Sequence, residues 1–236
     1  MRERLGLGEA VSAKPRPTRF VLGSRSPRRL ELLSQIVPRG LVDVLPPTSD
    51  EEAGFENLHD WPAIENRLRE IARHKCDDVL RQWQTRTSGP VFAPNSAIIA
   101  AETIVVVRDA ADRLLVLGQP PADDTWAETV RKWFREYYAG RTHWAVSAVR
   151  VALPSGKTAE RVVRSEVTFV ADVETRLEWY IGTEEPRGKA GGYALQGAGS
   201  IFISRVEGSL SNVIGLPLAE LMEMFDELGI GKTYGL

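Results

Sequence analysis

Residues 97–107 read AIIAAETIVVV. A run this continuously apolar, and this rich in β-branched residues, belongs in a strand covered on both faces. Working upstream, residues 19–23 (RFVLG) predict a first strand. It feeds a helix with Ser26 as a natural cap and Pro27 at the first helical position. After a break at residues 38–40, Leu41 to Leu45 read as a second strand, ended by Pro46-Pro47 and the acidic loop Ser49-Asp50-Glu51-Glu52. Ile64, Leu68, Ile71, Ala72, Val79 and Leu80 then share one face of a helix from about Pro62 to Trp83. Downstream, Trp126, Val130, Trp133, Phe134 and Tyr137 recur at helical spacing over 125–138. A Thr125/Glu128 capping box precedes them and Gly140 follows. Runs 142–153 and 158–171, separated by Pro154-Ser155-Gly156, predict a hairpin. A short helix capped by Asp172 stops at Gly182. A glycine-rich loop leads to a strand near Ile201 to Val206, and a last helix opens at Pro217 and closes at Gly229. Alternating strands and helices with one hairpin predict an α/β fold: a single domain, residues 18–236, with a mixed twisted central sheet flanked by helices, behind a flexible N-terminal tail of residues 1–17.

Composition narrows the function classes. The 236 residues carry 30 Lys+Arg against 32 Asp+Glu and one cysteine, Cys76. A lone cysteine closes no intramolecular disulfide and excludes thiolate metal clusters, so a reducing, cytoplasmic setting is expected. Residues 1–19 are basic but lack an apolar signal core, and no stretch approaches the roughly 20 apolar residues of a membrane span. Near-zero net charge without basic runs disfavours a nucleic-acid groove and leaves room for a local cationic pocket.

Four elements could carry chemistry. Glu102 sits inside the apolar run, where an unpaired carboxylate costs several kcal/mol as an order of magnitude. It therefore lies at a strand end or bulge, or pairs with an arginine, or serves as metal ligand or general base. Ser24-Arg25-Ser26-Pro27-Arg28-Arg29 joins helix-start amides, hydroxyls and guanidinium forks into an anion cradle, or else caps a helix with solvated arginines. Cations in a first turn oppose the helix dipole, which favours a bound anion. Asp50-Glu51-Glu52 offers oxygen ligands for Mg²⁺ or is a solvated acidic run. Lys75, three residues before Asp78, is compatible with a mere surface pair. The glycine-rich stretch 184–199 permits close backbone approach and contributes Lys189. It is no Walker A loop, since five residues separate Gly182 from Gly188. Nor is Gly197-Ala198-Gly199 a dinucleotide fingerprint, because a strand-like IFIS follows it. The aromatic residues Trp126, Trp133 and Phe134 read as core packing.

Taken together, VLGSRSPRRLELL (21–33), Asp50-Glu51 followed by helical Lys75, IIAAETIVV (98–106), Gly118-Gln119-Pro120, AGRTH (139–143) and EPRGKAGGYALQGAGSIFI running into GSLSNVIGLPLAEL (185–221) resemble the Maf proteins. These are house-cleaning nucleoside triphosphate pyrophosphatases of the inosine-triphosphatase-like superfamily. The resemblance implies hydrolysis of dTTP, UTP or a modified relative between the α- and β-phosphates, with Mg²⁺ or Mn²⁺. It implies Glu102 as proton acceptor, Glu51 and Glu102 as metal ligands, and Ser24, Arg28, Arg29, Lys75, Thr103, Glu185, Lys189 and Gln196 as substrate-binding residues. Arg28, Thr103 and Gln196 match the dTTP/UTP-preferring subgroup. A homodimer is expected, and neither nucleic acid nor membrane is an expected partner. Glu102 stands where the family has Asp, Gln119 where it has Lys, and Gly188 where it has Asp, and residues 107–117 exceed the family's usual turn. A catalytically weakened nucleotide-binding relative is the alternative.

Overall fold

A computed structural model describes residues 19–48, 54–85 and 96–230. The expected tail, residues 1–17, lies outside them, as does Glu51. Seven strands form one mixed sheet in the order β2-β1-β3-β5-β6-β7, with β4 paired to β3. The strands are β1 (Phe20–Leu22), β2 (Val42–Val44), β3 (Ala97–Arg108), β4 (Leu114–Leu117), β5 (Thr142–Ala152), β6 (Thr158–Phe169) and β7 (Ile203–Glu207). The helices are α1 (Pro27–Ile36), α2 (Trp61–Thr85), α3 (Trp126–Trp133), α4 (Glu174–Gly182), α5 (Leu210–Ile214) and α6 (Leu218–Leu228). Strands β2, β1 and β3 run parallel, and β3, β5, β6 and β7 are successively antiparallel. The expected α/β domain with a mixed central sheet is present.

Strand β3 is covered on both faces, as its composition requires. Its even-numbered residues Ile104 and Val106 pack with Ile64, Leu68 and Ala72 of α2. Ile98 and Ala100 pack with Cys76 and Val79 of the same helix. On the odd face, Ala97, Ile99 and Ala101 meet Leu32 and Leu33 of α1 and Leu221, Met224 and Phe225 of α6. Further along that face, Val105 and Val107 join Val130, Phe134, Tyr138, Leu177 and Tyr180.

One local expectation is corrected and two elements were unforeseen. Residues 107–117 hold more than a turn. Leu114–Leu117 return as a fourth strand antiparallel to Val105–Arg108, through a turn in which the Asp109 carboxylate accepts from the amides of Ala111 and Arg113. Four apolar residues were too few to display a period. The Thr125/Glu128 capping box does not form: Thr125 has helical dihedrals and makes no side-chain cap, and its hydroxyl instead donates to Asp123. The helix it opens passes into a wide turn over Phe134–Tyr138. Finally, α5 went unforeseen. Its cap, Ser209, accepts from the amide of Asn212 at 3.3 Å. No helix among the described residues is long and apolar enough to cross a membrane.

Candidate active site

The site originates in how β3 shares its edges. Strand β5 occupies one edge along Ile98–Val106. On the other, β1 pairs only with 97–99 and β4 only with 105–108. Residues 100–104 therefore have no strand partner on that side. There the chain leaves β1 through Gly23, whose amide makes a last bond to Ile99 O at 2.8 Å, and enters α1. The gap opens into a cleft of about 1140 Å³, lined by Ser24, Arg28, Arg29, Lys75, Glu102, Thr103, Lys189 and Gln196 among others. Of the substrate and catalytic residues expected from sequence, only Glu185 is absent from its lining.

Strand alternation sends Glu102 to the α2 face and Thr103 to the opposite one. Glu102 accepts a short hydrogen bond from the Lys75 ammonium, and Arg29 Nη2 lies 3.8 Å from the same oxygen. Lys75 thus pairs across the cleft rather than with Asp78, which is occupied by Thr48, Arg81 and Gln82. Arg29 reaches around the unpaired edge and touches both faces. Its Nη2 also donates to Thr103 Oγ1 at 3.2 Å, its Nε to Gly215 O at 3.0 Å and its Nη1 to Ser24 Oγ at 3.4 Å. Burial is the largest influence on the Glu102 carboxyl and pushes it up. Arg29 and Lys75 together outweigh it and hold the group below the usual carboxylate range. Glu102 is consequently an anion at neutral pH, and with 18% of its side chain exposed it remains reachable from the cleft.

The turn from β1 into α1 brings the helix-start amides, the two serine hydroxyls and the arginines together. Ser26 Oγ caps α1 by accepting from Arg29 N at 3.4 Å, Ser24 Oγ accepts from Ser26 N at 3.1 Å, and the first turn holds no acidic residue. Arg28 makes no hydrogen bond or ion pair among the described residues. Burial lowers its pKa, and neighbouring Arg29 lowers it further. Lys189 faces Arg28 and is lowered by burial first and by that arginine second. Among the described lining residues, five cations (Arg25, Arg28, Arg29, Lys75 and Lys189) meet two carboxylates, Glu56 and Glu102. This excess suits a polyanion.

The opposite wall is the glycine-rich stretch. Gly191, at φ +70°, fits where a Cβ would lie 2.6 Å from Tyr138 Oη. Tyr138 Oη donates to Gly191 O at 2.8 Å, Tyr180 Oη lies 3.2 Å from Gly192 O, and Gly191 N donates to Gly118 O at 2.9 Å. Glu185 holds this wall from behind. Its carboxylate accepts from the amides of Ala198 at 2.6 Å and Gly199 at 3.0 Å, so both oxygens are engaged with the loop. Lys189 Nζ donates to Glu185 O at 2.8 Å. Sequence reading missed the Gly215 carbonyl and Ser147, whose Oγ lies 2.8 Å from Thr103 Oγ1. The available signal for Ser147 was a lone hydroxyl inside an apolar strand, the same signal that marked Glu102.

The described residues hold no group of three or more His, Cys, Asp or Glu arranged for a metal. The cleft does offer hard oxygen donors in Glu102 and Glu56. Pro47 and Gly54, which flank the acidic loop carrying Glu51, both line it. That donor chemistry fits a hard divalent cation completed by other oxygens.

Against known proteins, the chain is 37% identical over 213 residues to a dTTP/UTP pyrophosphatase of Granulibacter bethesdensis, covering 89% of this chain and 93% of that one. It is 37% identical over 215 residues to a dTTP/UTP pyrophosphatase of Anaeromyxobacter dehalogenans, covering 89% and 94%. A solved nucleoside-triphosphatase / dITP/XTP pyrophosphatase from Mycobacterium abscessus overlays with a TM-score of 0.39 at 16% identity, covering 89% and 97%. The profile of the Maf-like proteins matches residues 19–228, and the chain belongs to that family.

Proposed function

We propose that the protein hydrolyses a nucleoside triphosphate, dTTP or UTP or a modified relative, between its α- and β-phosphates, releasing pyrophosphate and the monophosphate with the aid of Mg²⁺ or Mn²⁺. The observation that carries this reading is an ionised carboxylate, Glu102, open to a cleft in which cations outnumber acids. The relatives named dTTP/UTP pyrophosphatase supply the substrate class. In this reading the α1 amides and Arg28 hold the phosphate chain from one wall and Lys189 from the other. Glu102 takes the proton of the water that attacks the α-phosphorus as the bond to the pyrophosphate oxygen breaks. Arg29 and Lys75 keep Glu102 ionised beforehand and balance the departing charge. Glu102, Glu51 and phosphate oxygens would hold the cation. Bound there, it supplies Lewis acidity toward the phosphate and a water of lowered pKa. Gln196 faces the remainder of the nucleotide, and Thr103 lines the cleft beside Arg29.

The test is pyrophosphate release from a panel of nucleoside triphosphates with Mg²⁺ or Mn²⁺, beside a Glu102→Gln control. Release from dTTP and UTP that falls by about 10²–10⁴-fold in the control is expected. Nucleotide binding with no release above the control would instead mark a binding protein that has lost the chemistry.

A further inference from the structure

Behind the cleft, on the face of β3 away from Glu102, lies a hydroxyl that is not itself part of the cleft lining. Ser147 sits on β5 directly opposite Thr103 and is fully buried. Its one hydrogen-bond partner among the described residues is Thr103 Oγ1, at 2.8 Å. Thr103 Oγ1 also lies 3.2 Å from Arg29 Nη2, which can only donate, and 3.3 Å from Gly215 O, which can only accept. The protons can then be placed. If Thr103 gave its proton to Ser147, the Ser147 proton would be buried without an acceptor, and such groups are rare in folded proteins. With Ser147 as donor every group is satisfied: Ser147 donates to Thr103, Thr103 donates to Gly215 O, and Thr103's remaining lone pair accepts from Arg29. Gly215 O also receives Arg29 Nε, at 3.0 Å. The carbonyl is fixed in turn by Asn212 of α5, whose buried amide donates to Ala145 O at 3.0 Å and so docks the short helix on the sheet.

We propose that Ser147 is a positioning residue: by donating to Thr103 it anchors that side chain in the rotamer whose hydroxyl accepts from Arg29 and donates to Gly215 O, and so holds the guanidinium beside Glu102. The proposal rests on the hydrolytic reading for its kinetic consequence but not for its geometry. The experiment is a double-mutant cycle on Ser147→Ala and Thr103→Val, measured as steady-state hydrolysis of dTTP and UTP with Mg²⁺. It is combined with hydrogen exchange at Arg29 Nε–H, followed by NMR on ¹⁵N-arginine-labelled protein. Ser147→Ala is expected to lower kcat about 3- to 10-fold, the worth of one neutral hydrogen bond, with KM nearly unchanged. The double variant is expected to be no worse than Thr103→Val alone, because Ser147 acts only through Thr103. Arg29 Nε–H should exchange faster in Ser147→Ala. Losses that multiply, or an Arg29 exchange rate equal to that of the wild type, overturn the proposal. If the wild type releases no pyrophosphate, the hydrolytic reading fails and the exchange measurement still decides the positioning role. Should Ser147→Ala fail to fold, Ser147→Cys, which keeps the volume with a weaker donor, is read in the same way.

Discussion

The two walls of the cleft are built by different rules. The β1–α1 wall is made by neighbours in sequence: Ser26 caps its own helix, Ser24 accepts from an amide two residues on, and Pro27 starts the first turn. The glycine-rich wall is held from a distance. Tyr138 reaches Gly191 across 53 positions, and Gly118 receives the Gly191 amide across 73. Glu185 and Tyr180 add side-chain support from nearby in the chain. The first wall presents Arg28 with no protein partner among the described residues, so its charge is available to a ligand. The second presents Lys189, already bonded to Glu185 O. A locally coded wall can give up a side chain without losing its shape, whereas a wall suspended from buried hydroxyls cannot.

The strongest test of that contrast is Gly191→Ala. A Cβ there would stand 2.6 Å from Tyr138 Oη and 2.7 Å from Val105 Cγ2, on a backbone at φ +70° that L-residues disfavour. Overpacking plus the dihedral penalty predicts a loss of about 2–4 kcal/mol in urea unfolding, with Lys189 and Gln196 displaced together. A variant that is as stable as wild type would show the glycine wall to be as self-supporting as the other. On the opposite wall, Arg28→Ala should leave stability within about 0.5 kcal/mol. It should raise KM for dTTP or UTP about 10- to 100-fold, the worth of a hydrogen bond to a charged phosphate. An unchanged KM would remove Arg28 from the phosphate path.

This contrast also explains what was legible in the sequence. Strand β1, helix α1 and its cap, helix α2 and strand β3 could be read because period, capping residue and β-branched composition are local signals. Glu102 and the arginines stood out as charges placed where local rules disfavour them. Strand β4 was too short to show alternation, and Ser147, Gly215 and the tyrosine hydroxyls act only through contacts that exist once the sheet has formed. Glu185 illustrates the limit. The family resemblance associates it with the substrate, and the folded loop shows both its oxygens bonded to the amides of Ala198 and Gly199.

The foundation of the glycine wall has its own pH signature, smaller than the effects above. His143 is fully buried among Tyr138, Phe169 and Tyr193. Its Nε2 lies 2.8 Å from Tyr193 Oη, while Nδ1 has no hydrogen-bond partner among the described residues. Burial alone pushes its pKa down from 6.5 to about 3. Between those two values the unfolded chain binds a proton at this residue that the folded chain does not. Stability therefore falls as pH drops through that window, by up to about 1.4 kcal/mol per pH unit, and is indifferent to His143 above it. His143→Phe fills much the same space and cannot titrate. It should be less stable at pH 7.5, where Tyr193 loses its partner, by about 1–3 kcal/mol. Its urea midpoints should nevertheless decline less steeply than those of the wild type from pH 6.5 to pH 4.5. Equal slopes would mean that the imidazole is charged in the folded state, and the neutral, buried platform beneath Tyr193 would have to be abandoned.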